Sequence, residues 1–165
     1  MSLNQPVLLD IQLPAKEIIL QKFNVNNGLN LVVDDFDFGT PTVYVPTTVG
    51  SKLNTKVTLT PKLSSKYYNS FDVFYTRMDI HSILSNNVTV PRDGALVLTD
   101  LISSINTLFG IHLVGSDYVE KTLPALDPMD PDAPVDVLVE MKPESLLFFG
   151  THTLTLNSIG GSGEE

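Results

Sequence analysis

Glycine and proline are scattered along the whole of this 165-residue chain, 10 and 11 of them respectively. No other feature constrains its fold as much. Proline removes a backbone donor and glycine weakens the interior of helix and strand alike, so the chain reads as short elements joined by many turns. Thirteen of the nineteen acidic residues are Asp, a turn former, and not Glu, a helix former. The expected class is α+β: an antiparallel β-sheet or sandwich-like core with two to three short helices packed against it.

Periodicity places the elements. Residues 6–13 alternate, with Val7, Leu9, Ile11 and Leu13 on one side if extended. Pro14 then opens a helix whose apolar stripe is Ala15, Ile18, Ile19 and Phe23, ended by Asn26-Asn27-Gly28. Gly39 and Pro41 make Phe36 to Val45 a bulged or edge strand. Asn54 to Thr60 alternates about Val57 and Leu59, and Phe71 to Ile80 is its expected hairpin partner. Between them, Pro61 to Ser70 is a polar loop with an aromatic tip, Tyr67-Tyr68. A short strand is expected at Asn87–Val90, before the turn Pro91-Arg92-Asp93-Gly94. The clearest helix runs from about Asp100 to Phe109, with Thr99 as N-cap, Gly110 as stop and Leu101, Ile102, Ile105, Leu108 and Phe109 on one face. Ser116 to Lys121 reads as a short helix and Pro124 to Pro134 as an acidic connector. Val135 to Met141 and Leu146 to Asn157 read as a closing hairpin. Outside the tail, no internal repeat, heptad or low-complexity block is expected.

Charge and composition exclude several functions. Ten Lys+Arg against nineteen Asp+Glu give a net charge of -9, and only Arg77 and Arg92 carry guanidinium groups, too little basicity for a phosphate-binding stripe. No apolar run approaches the roughly 20 residues that span a bilayer, and the first residues lack the basic start and apolar stretch of a secretion signal. The expectation is therefore no nucleic acid and no membrane. The absence of Cys removes disulfides, thiolate metal sites and thiol nucleophiles together.

Motif by motif, catalysis and cofactors find little support. Asp37-Phe38-Gly39 matches three letters of a kinase motif without the remaining parts. The clusters Asp34, Asp35, Asp37 and Asp127, Asp130, Asp132 lack the calcium-loop pattern and read as solvated loops. His81, His112 and His152 are isolated in sequence. No nucleophile elbow or phosphate loop occurs. A glycosidase pair of carboxylates needs only to converge in space, so a cell-wall hydrolase stays as a minor alternative. No catalytic residue, metal or cofactor is assigned.

The order of several pieces points further. A helix runs into an Asn-rich turn (Ile18 to Leu31), followed by Phe38-Gly39-Thr40-Pro41, Lys52 to Thr60, and Tyr75-Thr76-Arg77-Met78-Asp79. Leu98-Thr99-Asp100-Leu101-Ile102, Phe109-Gly110-Ile111-His112-Leu113, Asp117-Tyr118-Val119 and Gly150 to Leu156 complete the set. This succession resembles a recurrent domain of virion structural proteins of large (jumbo-type) tailed bacteriophages. The resemblance implies a noncatalytic virion component, assembled in the host cytoplasm, whose partners are other virion proteins and copies of itself. Its alternative is a host-surface glycan-binding module using Tyr67 and Tyr68.

Residues 14–157 would form the domain, residues 1–13 an extended arm and residues 158–165 a linker-like tail. The arm either docks Val7, Leu9 and Ile11 on a neighbour's sheet edge or completes the chain's own sheet. With Tyr67 and Tyr68, these three residues make the expected assembly interface.

Overall fold

The computed structural model describes residues 11–85 and 88–157. The fold is α+β with a sheet core, as expected. Helix α1 (Ala15–Asn27) is followed by β1 (Phe36–Phe38), β2 (Thr42–Val43), β3 (Thr55–Pro61), β4 (Phe71–Tyr75), β5 (Met78–Asp79), α2 (Ile80–Leu84) and β6 (Val90–Pro91). Then come α3 (Leu98–Phe109), β7 (Val135–Glu140), β8 (Phe148–Phe149) and β9 (Thr151–Asn157).

Three small sheets share one core. In the first, β3 is central, with β4 antiparallel on one side and β1 and β2 end to end on the other. Three residues, Gly39 to Pro41, lie opposite only two, Val57 and Thr58, so the expected bulge is present and splits this edge into two strands. In the second sheet β5 pairs β8 in parallel. In the third, β9 lies between antiparallel β7 and parallel β6. Alternation sends Val57, Leu59, Val137, Val139, Leu154 and Leu156 inward, where they meet Ile18, Ile19 and Leu20 of α1 and Leu101, Ile102 and Ile105 of α3. No helix among the described residues is long and apolar enough to cross a membrane.

Both long helices end alike. Gly28 and Gly110 take the left-handed conformation at φ 64° and 62°, which only glycine adopts without steric cost. The chain then folds back over an asparagine of the last turn. Asn24 donates to the Leu31 carbonyl (2.8 Å) and accepts from the Leu31 amide (3.0 Å). Asn106 makes the same pair of bonds with Leu113, at 2.9 and 2.8 Å.

Several boundaries differ from expectation, each for a local reason. Of the strand expected at 6–13, only residues 11–13 are described, and they form a turn leading into Pro14. The strand expected from Phe71 to Ile80 stops at Tyr75, because Asn54 bonds both the amide and carbonyl of Arg77, and Asp79 then caps a helix at Ile80. Helix α3 begins at Leu98, not after Thr99: the Asp100 carboxylate reaches back to the amides of Leu96 and Val97, while the Thr99 hydroxyl is held by Tyr118 and Glu120. Leu108 is 44% exposed and falls off the buried face.

Ser116–Lys121 is no helix. Asp117 closes a turn on the Val114 amide, and Tyr118 bridges to Met141. The last strand begins at Thr151 and not at Leu146, since Gly150 at φ 87° breaks it and releases β8 to pair with β5. The short strand before the Pro91 turn is Val90–Pro91, with Asn87 outside the described residues.

Candidate functional site

A cleft of about 420 Å³ opens between the first turn of α1, β1 and the loops after α3 and β7, lined by Lys16, Phe38, His112, Asp117, Glu144 and Leu146. Its one buried acid is already committed. Asp117 accepts from the Val114 amide (3.0 Å) and the Ser145 hydroxyl (2.8 Å), joining two loops. Lys16 lies over the Phe38 ring, 5.5 Å from its centroid. Asp117 and Lys16 are thus engaged in packing and turn contacts, beside Glu17, His112 and Glu144 on the same lining.

The acidic clusters are likewise turn-makers. The Asp35 amide donates to the Val32 carbonyl, and the Asp127 carboxylate accepts from the Met129 amide at 2.9 Å. Among the described residues, no three His, Cys, Asp or Glu side chains stand close enough to hold a metal ion.

Two of the three histidines do meet. His81 on α2 and His152 on β9 place their Nδ1 atoms 3.0 Å apart, so one ring donates and the other accepts. Burial lowers the pKa of His152, the neighbouring His81 lowers it further, and Asp79 opposes both. Seventy-one positions separate the pair, and the pairings of β8 with β5 and of β6 with β9 carry β9 past α2. No spacing within one element could have revealed it.

The two arginines are structural. Arg92 is buried and donates to the carbonyls of Ala95 (3.2 Å) and Pro124 (2.7 Å). Arg77 donates to the Phe148 carbonyl at 2.6 Å and lies over Phe149. Burial pushes its pKa down, with Tyr75 opposing the shift. Burial likewise raises the Tyr75 phenol well above its ordinary value, and Arg77 tempers the rise. Arg77 and Asp79 do not pair with each other, whereas Lys56 pairs with Asp72 and Lys121 with Glu140.

The residues expected at an assembly interface are dispersed. Val7 and Leu9 lie outside the described residues. Ile11 rests half-buried on the chain's own core. The aromatic tip is divided: Tyr67 stacks on Phe36 with centroids 5.3 Å apart, whereas Tyr68 is 91% exposed.

A different apolar surface stands out at β2. Val43 is opposite Thr55, which is opposite Tyr75, so all three point to the core side of the sheet. Thr55 and Tyr75 are buried there, yet Val43 is 87% exposed, and Val45, two residues on, is 79% exposed. The inner face of this sheet therefore overhangs its own core. On the reverse side Tyr44 packs against Phe74 and keeps the overhang in place, centroids 4.6 Å apart.

Comparison with curated proteins and with solved structures returns no match. One family model matches residues 9–159, taking in every described residue. The chain belongs to that family, DUF7941, a family of unknown function.

Proposed function

We propose that this chain is a noncatalytic building block of a large tailed phage virion, packing against copies of itself and other virion proteins on the exterior of head, neck or tail. The order of sequence pieces supplies the virion reading. The observation that carries a packing role is the overhanging inner face at β2. Apolar side chains on the core side of a sheet gain by being covered, at about 25 cal/mol per Å² removed from water, and Val43 and Val45 have no cover within the described chain. Commitment of Arg77 and Arg92 to backbone carbonyls supports a role without nucleic acid. The glycan-binding alternative is weakened because Tyr67 spends its face on Phe36, leaving Tyr68 without a stacked partner.

The test is a Val43→Glu/Val45→Glu variant. Both side chains are solvent-facing among the described residues, so the thermal midpoint should stay within about 2 °C. Its incorporation into particles or oligomers should be lost. Full incorporation of the variant would refute the reading, as would a structure of the particle in which this face stays bare and no neighbour buries about 1,000 Å².

A further inference from the structure

The two halves of the chain repeat one another, bond by bond. Asn24, Gly28 and Leu31 form the helix-end clamp of the first half, and Asn106, Gly110 and Leu113 that of the second. Next, the Asp35 amide donates to Val32 (3.1 Å) and the Asp117 amide to Val114 (2.8 Å). The following aromatic residue pairs with the hairpin: Phe36 with Pro61, Tyr118 with Met141.

Beside that pair, the Lys62 amide donates to the Asp35 carbonyl (2.9 Å) and the Lys142 amide to that of Asp117 (2.8 Å). The turn is then closed by Ser65 on Lys62 and by Ser145 on Lys142, at 2.9 and 3.1 Å. The hairpins agree in register: Val57↔Val73 and Thr55↔Tyr75 correspond to Val137↔Leu154 and Val135↔Leu156. Each pair of equivalents lies about 80 residues apart, the signature of a repeated supersecondary unit.

One strand breaks the equivalence. In the second half β9 has two neighbours, β7 and the parallel strand β6, with Val90 beside Leu156 and Pro91 beside Asn157. The Arg92 amide extends that ladder to the Asn157 carbonyl at 3.0 Å. In the first half β4, the equivalent of β9, pairs only with β3 among the described residues. Strand β6 ends 19 residues before Gly110, the glycine that closes α3, and the same interval before Gly28, which closes α1, ends at Leu9, so β6 corresponds to Leu8 and Leu9 in the apolar run Val7 to Leu9.

We propose that the outer edge of β4 is a docking surface for an extended apolar strand, and that residues 7–9 of the same chain fill it in parallel, Leu8 beside Tyr75 and Leu9 beside Thr76. Continuity argues for the same chain: two residues on, Ile11 already rests on its own core, and Gln12 reaches Gly110, its Nε2 3.2 Å from where a Cβ would stand there. The inference is independent of any virion role, since it rests on the internal repeat alone.

The chain lacks cysteine, so one engineered pair tests the register cleanly. Adjacent parallel strands bring facing Cα atoms within the range of about 4.4–6.8 Å that a disulfide spans. Under mild oxidation, the full chain carrying Leu9→Cys and Thr76→Cys should form an intramolecular bridge and run as an oxidised monomer. Leu9→Cys with Phe71→Cys, at the far end of β4, should not. Hydrogen exchange on the unaltered chain gives a readout free of any substitution. The Asp10 amide, equivalent to that of Arg92, should exchange at least about a hundredfold slower than an open amide. Disulfide-linked dimers in place of monomers would overturn the proposal, showing the edge filled by a neighbour. Open amides across residues 7–10 would overturn it too, as would equal bridging by both cysteine pairs.

Discussion

Replacing Asn106 by Ala tests the helix-end clamp directly. Its side chain makes two hydrogen bonds, one to each polar backbone group of Leu113, and Leu113 is buried. Each bond contributes about 1 kcal/mol net, and a buried amide or carbonyl left without a partner costs about 1–3 kcal/mol. The turn at Gly110 also loses its anchor, although the Ile111 amide still reaches the Asn106 carbonyl. Partial rehydration offsets some of this, so the expected loss is about 2–3 kcal/mol. For a chain of this length that corresponds to a fall in Tm of about 5–10 °C.

Asn106→Asp keeps the acceptor for the Leu113 amide but sets a charged oxygen against the Leu113 carbonyl at the negative end of α3, so at neutral pH it should cost at least as much as Asn106→Ala. Asn24→Ala should cost less than either, because Leu31 is only half-buried and water replaces part of the loss. Urea unfolding followed by far-UV circular dichroism ranks the three variants, provided that the m-value is unchanged. The reasoning fails if Asn106→Ala costs less than about 0.5 kcal/mol, or if Asn24→Ala costs more than Asn106→Ala.

Two other perturbations follow from the contact between α2 and β9. Because the pKa of His152 is depressed in the folded chain, the unfolded chain takes up its proton first. Stability should therefore be flat above about pH 6.5 and fall as the pH drops from there toward the folded value. His152→Gln should flatten that segment of the profile, and unfolding midpoints measured from pH 7.5 to 5 would check it. Gly150 has φ 87°, and a Cβ there would stand 2.7 Å from Asp79 Oδ1, the atom that caps α2. Gly150→Ala should cost about 2–3 kcal/mol, against about 1 kcal/mol for Gly50→Ala, which has a similar φ but open space. Equal Tm losses for the two would contradict the clash.

What the sequence shows well is what neighbouring residues decide. The helices ending at Gly28 and Gly110, the bulge at Gly39–Pro41 and the inward faces of β3 and β7 all rest on local spacing or on residues with special backbone freedom. Boundaries set by distant partners are hidden. Thr99 looks like an N-cap until Glu120 and Tyr118 arrive to claim it, and Ser116–Lys121 has helical spacing until Tyr118 is drawn to Met141.

The repeat is hard to find in the sequence for a related reason. Its shared residues are few and widely spaced: Asn24, Gly28, Leu31, Val32 and Asp35 match Asn106, Gly110, Leu113, Val114 and Asp117, and beyond them Lys62 and Ser65 match Lys142 and Ser145 among unlike neighbours. The bonds common to Asp35 and Asp117, to Lys62 and Lys142, and to Ser65 and Ser145 are made by backbone groups, which constrain residue identity little. The meeting of His81 with His152 and the overhang at Val43 depend on tertiary placement and leave no trace in local spacing.

Three bonds stitch the halves where β4 runs into β5. The Tyr75 hydroxyl donates to the Leu146 carbonyl (2.7 Å), the Met78 amide to that of Leu147 (2.8 Å) and Arg77 to that of Phe148 (2.6 Å). All three donors lie in one half and all three acceptors in the other. Cutting the chain between the units would strand a buried phenol and a half-buried guanidinium on one piece, facing carbonyls lost with the other. Neither unit is therefore a free-standing module, whatever its internal likeness to the other. The chain behaves as a fused pair that can no longer be divorced, and heat should melt it in a single cooperative step.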